Sequence, residues 1–186
     1  MTRVRKLLLA ALLLPLDGWK RATVLRRLGV FHGQGRGCYF SITNFGNEPW
    51  LLSFGDNVYV AADVRFVTHD VSALMMSART QDRRRFDRMG EIRVGDNVFV
   101  GLGSIILPGV SIADDVVVGA GAVVARSIDE PGVWVGNPPR KTMTIEEYEE
   151  KLNELAASYP WCTGDSRRMP RNQERVLREE FFWHRP

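Results

Sequence analysis

Aliphatic residues recur at every sixth position along the middle of the chain. From residue 94 onward they are Val94, Val100, Ile106, Ile112, Val118 and Val124. The fourth residue after each of these is also small or aliphatic: Val98, Ser104, Val110, Val116, Ala122 and Ile128. Neither an α-helix nor an ordinary β-strand has a period of six. One short strand and one turn fill six residues, so the pattern predicts a parallel β-helix with three such units in each triangular coil.

Turn-forming residues separate the aliphatic positions. Gly95, Asp96 and Asn97 stand between the first two, and the pairs 108–109 (Pro-Gly) and 114–115 (Asp-Asp) occupy later intervals. Glycine, asparagine and aspartate adopt left-handed backbone conformations more readily than other residues. We therefore expect these residues at the corners of the coils, and one aliphatic side chain per face pointing inward.

The same pattern begins earlier and is interrupted once. Phe54, Val60 and Phe66 continue it upstream, and the Gly-Asp-Asn sequence of residues 55–57 returns 40 residues later at residues 95–97. Because 40 is not a multiple of six, part of the chain must leave the coils. The stretch of about residues 71–93 lacks the repeat and is predicted to be an inserted loop, either solvated or in contact with substrate. Its charged residues are Asp82, Arg83, Arg84, Arg85, Asp87 and Arg88.

The domain organisation follows from where the repeat starts and stops. Residues 1–30 are interpreted as an N-terminal helical cap, with a helix expected from Trp19 to Leu28, and residues 31–141 as the β-helix domain. Residues 142–186 are interpreted as a C-terminal helical appendage. A capping box of Thr144 and Glu147 starts its first helix, which is expected through about residue 158, and a second short helix is expected within residues 171–183. The apolar stripe of the first helix is Ile145, Tyr148, Leu152 and Leu155.

The N-terminal apolar run, residues 7–16, resembles part of a signal peptide because Arg3, Arg5 and Lys6 precede it. It is only about half as long as a membrane span, and residues 15–19 offer no small-x-small cleavage site. A packed or membrane-surface helix is therefore favoured. The basic residues that follow are compatible with weak contact with anionic lipid, although a cap on the first coil is preferred.

Composition narrows the classes of function. The chain has 186 residues, a net charge of +3 and a pI near 9.1, and the charge is too diffuse to predict a nucleic-acid partner. Its two cysteines, Cys38 and Cys162, are far apart in sequence and predict reduced thiols in a cytoplasmic protein.

The three histidines are His32, His69 and His184, and only His69 interrupts a strand of the repeat, just before the insertion. Histidine is the usual general base near neutral pH. Asp70, Glu48 and Asp63 are each candidates for a carboxylate that holds its second ring nitrogen, and the sequence does not choose among them. The other two histidines are assigned structural roles. A zinc site of the γ-carbonic anhydrase type needs three neighbouring histidines, so no metal is predicted.

The run from Val94 to Lys141 resembles the hexapeptide-repeat acyltransferases, whose fold is a left-handed parallel β-helix. It reads V-G-D-N-V-F-V-G-L-G-S-I-I-L-P-G-V-S-I-A-D-D-V-V-V-G-A-G-A-V-V and later V-G-N-P-P-R-K. Residues 44–49, 66–70 and 144–148 resemble the sugar O-acetyltransferase branch. That branch includes maltose and galactoside acetyltransferase-like proteins and enzymes that modify capsular or O-antigen polysaccharide.

This resemblance implies an acetyl-coenzyme A-dependent O-acetyltransferase that acts on a saccharide hydroxyl and works as a homotrimer with active sites between subunits. It implies that His69 is the general base and that Asn44 and Glu48 contact the acceptor, although residues 44–47 could equally be only a turn. It also implies a coenzyme A groove formed by Phe99, Gly101, Leu102, Ala120, Ala125, Arg126, Arg140 and Lys141.

Two features of that groove qualify the resemblance. Leu102 and Ala125 stand where relatives often have Ser and Thr, so they are expected to line the groove rather than to bind. Arg140 and Lys141 stand where the family binds phosphate, although they could instead cap the carbonyl groups that end the last coil.

Three other functions remain open from the sequence. An antibiotic O-acetyltransferase and an N-acetyltransferase for nucleotide-linked amino sugars would use the same fold. A non-catalytic β-helix scaffold belongs to a different class, and it would have no need of a histidine beside an insertion or of a terminal Arg-Lys pair.

Overall fold

The structure is a computed structural model that describes residues 11–80 and 88–158. The described residues contain fifteen short strands. In chain order they are β1 (Gly33–Gln34), β2 (Tyr39–Phe40), β3 (Leu52–Phe54), β4 (Tyr59–Val60), β5 (Arg65–Phe66), β6 (His69–Asp70), β7 (Arg88–Met89), β8 (Ile92–Val94), β9 (Phe99–Val100), β10 (Ile105–Ile106), β11 (Ser111–Ile112), β12 (Val116–Val118), β13 (Val123–Val124), β14 (Gly132–Gly136) and β15 (Pro139–Met143).

The strands form three parallel faces of a β-helix. One face has the order β1-β3-β8-β11, the second β2-β4-β9-β12-β14 and the third β5-β10-β13. Phe99 pairs with Val117 and Ile105 with Val123. These paired residues are 18 positions apart, which is three units of six and hence one coil.

The residues of the six-residue pattern fill the interior. All twelve positions that define the pattern after residue 93 are buried, and the most exposed of them is only 4% exposed. The prediction of inward positions is therefore confirmed. Ser104 is the polar member of the set, and its buried hydroxyl is paired, because it donates to the Gly119 carbonyl oxygen at 2.9 Å.

One corner of the helix is built by a stack of like residues. Asn57, Asn97 and Asp115 have φ values of 56°, 56° and 55°. Their side chains form a ladder, with Asn57 Nδ2 donating to Asn97 Oδ1 at 3.1 Å and Asn97 Nδ2 to Asp115 Oδ1 at 3.0 Å. Gly95 was expected to adopt a left-handed backbone conformation at this corner, but it does not. A Cβ there would overlap the Asp114 carboxylate of the next coil.

The N-terminal residues lie on the first coil. Helix α1 (Gly18–Arg27) begins after Asp17, whose carboxylate accepts a hydrogen bond from the Lys20 backbone N–H at 2.8 Å. The helix lies against β2 and buries Ala22 and Leu25 in the common core. It starts and ends one residue earlier than the sequence predicted. No helix within the described ranges is both long and apolar enough to cross a bilayer.

The interruption of the repeat lies between β5 and β8. Strands β6 and β7 form an antiparallel ladder, and helix α2 (Ser72–Thr80) follows β6. Strand β8 is back in the coils, paired with β3. The repeat thus resumes at Ile92, one residue before the expected end of the insertion at residue 93. Of the charged run, only Arg88 lies in the described residues.

The coils end in a hairpin. Strand β15 returns antiparallel to β14, so the expected boundary between residues 141 and 142 falls inside a strand. A first compact unit ends at Ile145 and a second begins at Glu146. Helix α3 (Ile145–Ala157) agrees with the predicted helix and buries none of its own residues. The helix expected within residues 171–183 lies outside the described residues.

Candidate active site

A cavity of about 610 Å³ opens beside the first coil. Residues 41–48, all of them described, contain no strand, so this side of the first coil is not a continuation of the face formed by β5, β10 and β13. Residues 41–47 form one wall of the cavity and residues 62–69 the other. The missing strand therefore creates the concavity.

Aromatic packing holds the irregular wall in place. Phe45 is buried, and its ring stacks on that of Phe66 with a centroid distance of 6.2 Å. Gly46 has a φ of 83°, and a Cβ there would lie 3.0 Å from the Phe66 carbonyl oxygen. Asn44 lines the cavity, and its Oδ1 accepts a hydrogen bond from the Gly46 N–H at 3.0 Å. Asn44 thus stabilises a turn and also faces the cavity.

His69 and Glu48 form a pair at this cavity. His69 Nδ1 lies 2.8 Å from Glu48 Oε2, and the Thr68 hydroxyl donates to the same oxygen at 2.7 Å. The His69 side chain is 30% exposed and that of Glu48 16%, whereas Thr68 is 1% exposed. The carboxylate is thus largely shielded from water and held by two groups.

The pair determines which nitrogen of His69 is available as a base. A carboxylate accepts hydrogen bonds and does not donate them, so Nδ1 carries the proton in the neutral ring. The lone pair is then on Nε2. This is the arrangement of a histidine general base oriented by a carboxylate.

The structure also resolves the choice among the three candidate carboxylates. Asp70 accepts hydrogen bonds from the Ser72 N–H at 2.8 Å and from its hydroxyl at 3.0 Å. The backbone hydrogen bond from Ser72 is the main reason that the pKa of Asp70 lies below its usual value. Asp63 lines the cavity from a corner position with a φ of 58°. Glu48 is the carboxylate bonded to His69.

A second cavity, of about 460 Å³, lies near the last coil. Three residues of the expected coenzyme A groove line it, namely Ala125, Arg126 and Arg140. Trp134 also lines this cavity. The sequence does not identify it as a site residue, because it occupies a strand position like any other position in the repeat. The two cavities flank the same face, since residues 62–69 surround and follow β5 and residues 125–128 follow β13.

The remaining residues of the expected groove lie elsewhere. Phe99 and Leu102 are exposed on the coil surface. Gly101 is buried against the next coil, where a Cβ would lie 2.6 Å from the Ala120 backbone nitrogen. Gly101 and Ala120 are therefore neighbours in successive coils. None of these four residues lines either cavity.

Arg140 and Lys141 do not share one site within the chain. They are adjacent in β15, and adjacent strand residues project to opposite faces. Lys141 Nζ pairs with Glu130 Oε2 at 3.1 Å, while Arg140 lines the second cavity. Within the described ranges, no cluster of three or more His, Cys, Asp or Glu side chains is arranged to hold a metal ion.

Comparison with known proteins identifies chains that are similar to this one. The family model described as "Hexapeptide repeat of succinyl-transferase" matches residues 91–126. Protein CapG of Staphylococcus aureus is 40% identical over 135 residues, which are 71% of this chain and 76% of that protein.

Two solved structures share the fold. A maltose O-acetyltransferase from Clostridium difficile 630 is 24% identical with a TM-score of 0.53, and the match covers 76% of this chain and 85% of that one. A galactoside acetyltransferase in complex with coenzyme A is 20% identical with a TM-score of 0.58, and the match covers 80% of this chain and 82% of that one.

Proposed function

The chain belongs to the hexapeptide-repeat acyltransferase family, and on this premise we propose that it transfers an acetyl group from acetyl-coenzyme A to a hydroxyl group of a saccharide. The observation that carries the proposal is the His69–Glu48 pair at the edge of a cavity of about 610 Å³. A cavity of that volume is in the range of small-molecule sites. The likeness to two sugar acetyltransferases supports a saccharide as the acceptor class.

The reaction uses His69 twice. Its Nε2 takes the proton from the acceptor hydroxyl while the hydroxyl oxygen attacks the thioester carbonyl carbon. The charged ring that results is stabilised by the Glu48 carboxylate on Nδ1. When the tetrahedral intermediate collapses, the bond from carbon to sulfur breaks. Coenzyme A then leaves as a thiol with the proton from Nε2, and the acetyl ester remains on the sugar.

Glu48 acts in this proposal as a positioning residue, in place of the acceptor contact that the family resemblance implied. Its Oε2 already accepts from His69 and Thr68, and its side chain is 16% exposed. Acceptor recognition is assigned instead to the polar wall at residues 41–47, in which Asn44 lines the cavity. Amide and hydroxyl groups can pair with sugar hydroxyls as both donors and acceptors.

The coenzyme A site is proposed to lie at a seam between two chains, where it connects the cavity beside His69 with a cavity beside Arg140. Strands β5 and β13 are separated by β10 alone, so the ends of these strands are about 10 Å apart at the usual strand spacing. An extended pantetheine arm can span that distance. Arg126 and Arg140 beside the second cavity would bind phosphate groups by charge-assisted hydrogen bonds.

The residues exposed on the coil surface belong to the proposed site only in an assembly. Phe99 and Leu102 are exposed, and neither lines the cavity beside His69 or the cavity beside Arg140. We therefore propose a homotrimer in which the groove is closed by a neighbouring subunit. Closed cyclic symmetry would then build three equivalent sites, each from two chains.

The deciding experiment measures release of coenzyme A with three sets of acceptors: free and glycan-linked sugars, chloramphenicol-like alcohols, and nucleotide-linked amino sugars. We expect turnover with a sugar hydroxyl and an O-acetyl ester as product. Preferential turnover of the antibiotic alcohols or of the amino sugars would support the corresponding alternative. Binding of coenzyme A without turnover on any acceptor, unchanged in His69→Ala, would support a scaffold.

A further inference from the structure

The positive charge of the chain is concentrated near its N-terminus. Residues 1–30 contain seven basic residues and one acidic residue, a net charge of +6, whereas the whole chain has +3. Residues 31–186 are therefore net negative, at −3. The basic residues are Arg3, Arg5, Lys6, Lys20, Arg21, Arg26 and Arg27, and the acidic one is Asp17.

Large apolar side chains in the same segment are open to solvent. Leu12 is 53% exposed and Leu14 is 72% exposed, while Leu13 between them is fully buried. Leu28, at the other end of α1, is also exposed. The exposed leucines thus belong to the same stretch of sequence as the basic residues.

A hydrogen-bonded contact holds this segment on the first coil. The Arg21 guanidinium donates to three carbonyl oxygens, those of Leu13 at 3.3 Å, Leu16 at 2.7 Å and Phe40 at 2.6 Å. Arg21 is 8% exposed, and all three nitrogens of its planar guanidinium group donate hydrogen bonds. The turn that carries Leu12 and Leu14 is therefore fixed relative to the coils.

The outer side of α1 is basic. The residues of this helix that are buried are Gly18, Arg21, Ala22 and Leu25, and this spacing defines one face. The positions on the opposite side include Lys20 and Arg27, both exposed, and Arg26 is exposed at the flank. The segment therefore presents leucines at one end and cations along its length.

We propose that residues 12–28 form a docking surface for an anionic lipid bilayer. Leu12 and Leu14 enter the interfacial region, and Lys20, Arg26 and Arg27 lie against phosphate head groups. Apolar insertion together with basic residues is what attaches a protein to an anionic membrane surface without a spanning helix. A second copy of the chain is a poor occupant, because two such surfaces would each bring the same excess of positive charge.

The placement of this surface gives it a consequence for the acetyl-transfer site. The Phe40 carbonyl that receives Arg21 immediately precedes residue 41, where the wall of the cavity beside His69 begins. The docking surface and the acceptor cavity therefore lie at the same end of the coils, and a bound bilayer would be close to the acceptor. Lipid binding itself does not depend on the proposed reaction.

Sedimentation with vesicles tests the proposal on the full chain. One vesicle preparation contains phosphatidylglycerol and phosphatidylcholine in equal amounts, and the other contains phosphatidylcholine alone. We expect binding to the anionic vesicles, weakened by added salt because exposed charges are screened. Leu12→Glu with Leu14→Glu should abolish it, and Arg26→Glu with Arg27→Glu should weaken it by roughly tenfold or more.

The matched control changes two exposed leucines elsewhere, Leu152→Glu with Leu155→Glu in α3, and should bind as the unaltered chain does. Far-UV circular dichroism and thermal unfolding establish that each variant is folded. The salt dependence of vesicle binding is measured on the unaltered chain, so it does not depend on the folding of any variant. The proposal is overturned if the unaltered chain binds neither vesicle, or binds both equally. It is also overturned if the leucine variant still binds the anionic vesicles and an RNA or DNA competitor displaces it from them. The same holds if the leucine substitutions leave vesicle binding unchanged and alter only the oligomeric mass.

Discussion

At the scale of single residues, the decisive feature is one oxygen atom. Glu48 Oε2 lies 2.8 Å from His69 Nδ1 and accepts the Thr68 hydroxyl at 2.7 Å. The contact with Glu48 places the proton of the neutral ring on Nδ1 and leaves the lone pair on Nε2. Roles assigned to these three residues can be separated by kinetics, because a base affects turnover and an acceptor contact affects binding.

Removing the base should lower turnover without loss of donor binding. We expect His69→Ala to reduce kcat by roughly 10²–10⁴-fold, the usual contribution of a general base. Affinity for coenzyme A should change little, since His69 does not line the cavity that contains Arg140. Steady-state kinetics and a calorimetric titration of coenzyme A measure the two effects. Turnover within a few-fold of the unaltered chain would remove His69 from the mechanism.

Replacing Glu48 by glutamine should distinguish positioning from acceptor binding. Glu48→Gln keeps the shape but removes the negative charge that stabilises the protonated ring, so kcat should fall by about tenfold or more. The acceptor KM should stay nearly constant. Asn44→Ala is the matched variant, with a raised acceptor KM and a smaller effect on kcat. A rise in KM as the main effect of Glu48→Gln would return Glu48 to the acceptor site.

The buried thiol of Cys38 should be unreactive in the folded protein. Burial away from water raises the pKa of Cys38 above its usual value of 9.0, so the neutral thiol, which is a poor nucleophile, predominates at pH 8. In a Cys162→Ser background, Ellman's reagent should react slowly with the native chain and rapidly in denaturant. Equal rates in the two conditions would contradict the burial of Cys38.

At the scale of elements, the corners decide how the coils stack. Asn97 has a φ of 56°, and its side chain accepts from Asn57 and donates to Asp115. Glycine adopts this backbone conformation freely and alanine does not. Backbone conformation and side-chain hydrogen bonding are therefore two separable contributions at the same residue.

Two substitutions of Asn97 should separate those contributions. Asn97→Gly removes the side-chain ladder and leaves no Cβ in the left-handed region, whereas Asn97→Ala removes the ladder but keeps a Cβ there, at a cost of about 1–2 kcal/mol relative to glycine. We expect the alanine variant to be less stable than the glycine variant by about that amount. Urea unfolding of both variants measures the difference in free energy, provided that their m-values agree. Equal stability would show that the corner can relax.

At the scale of the whole molecule, the two cavities flank one face of the coils, and Phe99 and Leu102 are exposed outside both cavities. A single chain therefore leaves part of the expected coenzyme A groove open. A trimer with grooves at its seams would use these surfaces, and it would allow one chain to supply His69 and its neighbour to supply Arg140.

Mixing two inactive chains tests such a shared site. One chain carries His69→Ala, and the other carries Arg140→Ala together with Lys141→Ala. Each variant should be poorly active alone, and subunit exchange between them should restore part of the activity. Some interfaces between subunits would then contain both sets of substitutions, and others would contain neither. Light scattering should give the mass of three chains for all samples. An active monomer excludes the shared site, and exchange without recovery places the whole site in one chain.

The sequence by itself determined the features that depend on residues close together in the chain. The six-residue period placed the inward side chains of the coils from residue 94 to residue 128, because one strand and one turn repeat within each unit. Local periodicity also predicted α3 to within a residue at its C-terminal end. His69 stood out because it interrupts that period. The period does not define the hand of the coil, and the left hand follows from the family to which the chain belongs.

Only the tertiary structure decided which distant residues meet. Glu48 and His69 are 21 positions apart, and coil stacking brings them to 2.8 Å while Asp70, the nearer carboxylate, is held by Ser72 instead. The cavity beside His69 lies where residues 41–48 form no strand. Strand geometry likewise separated Arg140 from Lys141. Contacts of this kind depend on how coils stack, which no local pattern of side chains specifies.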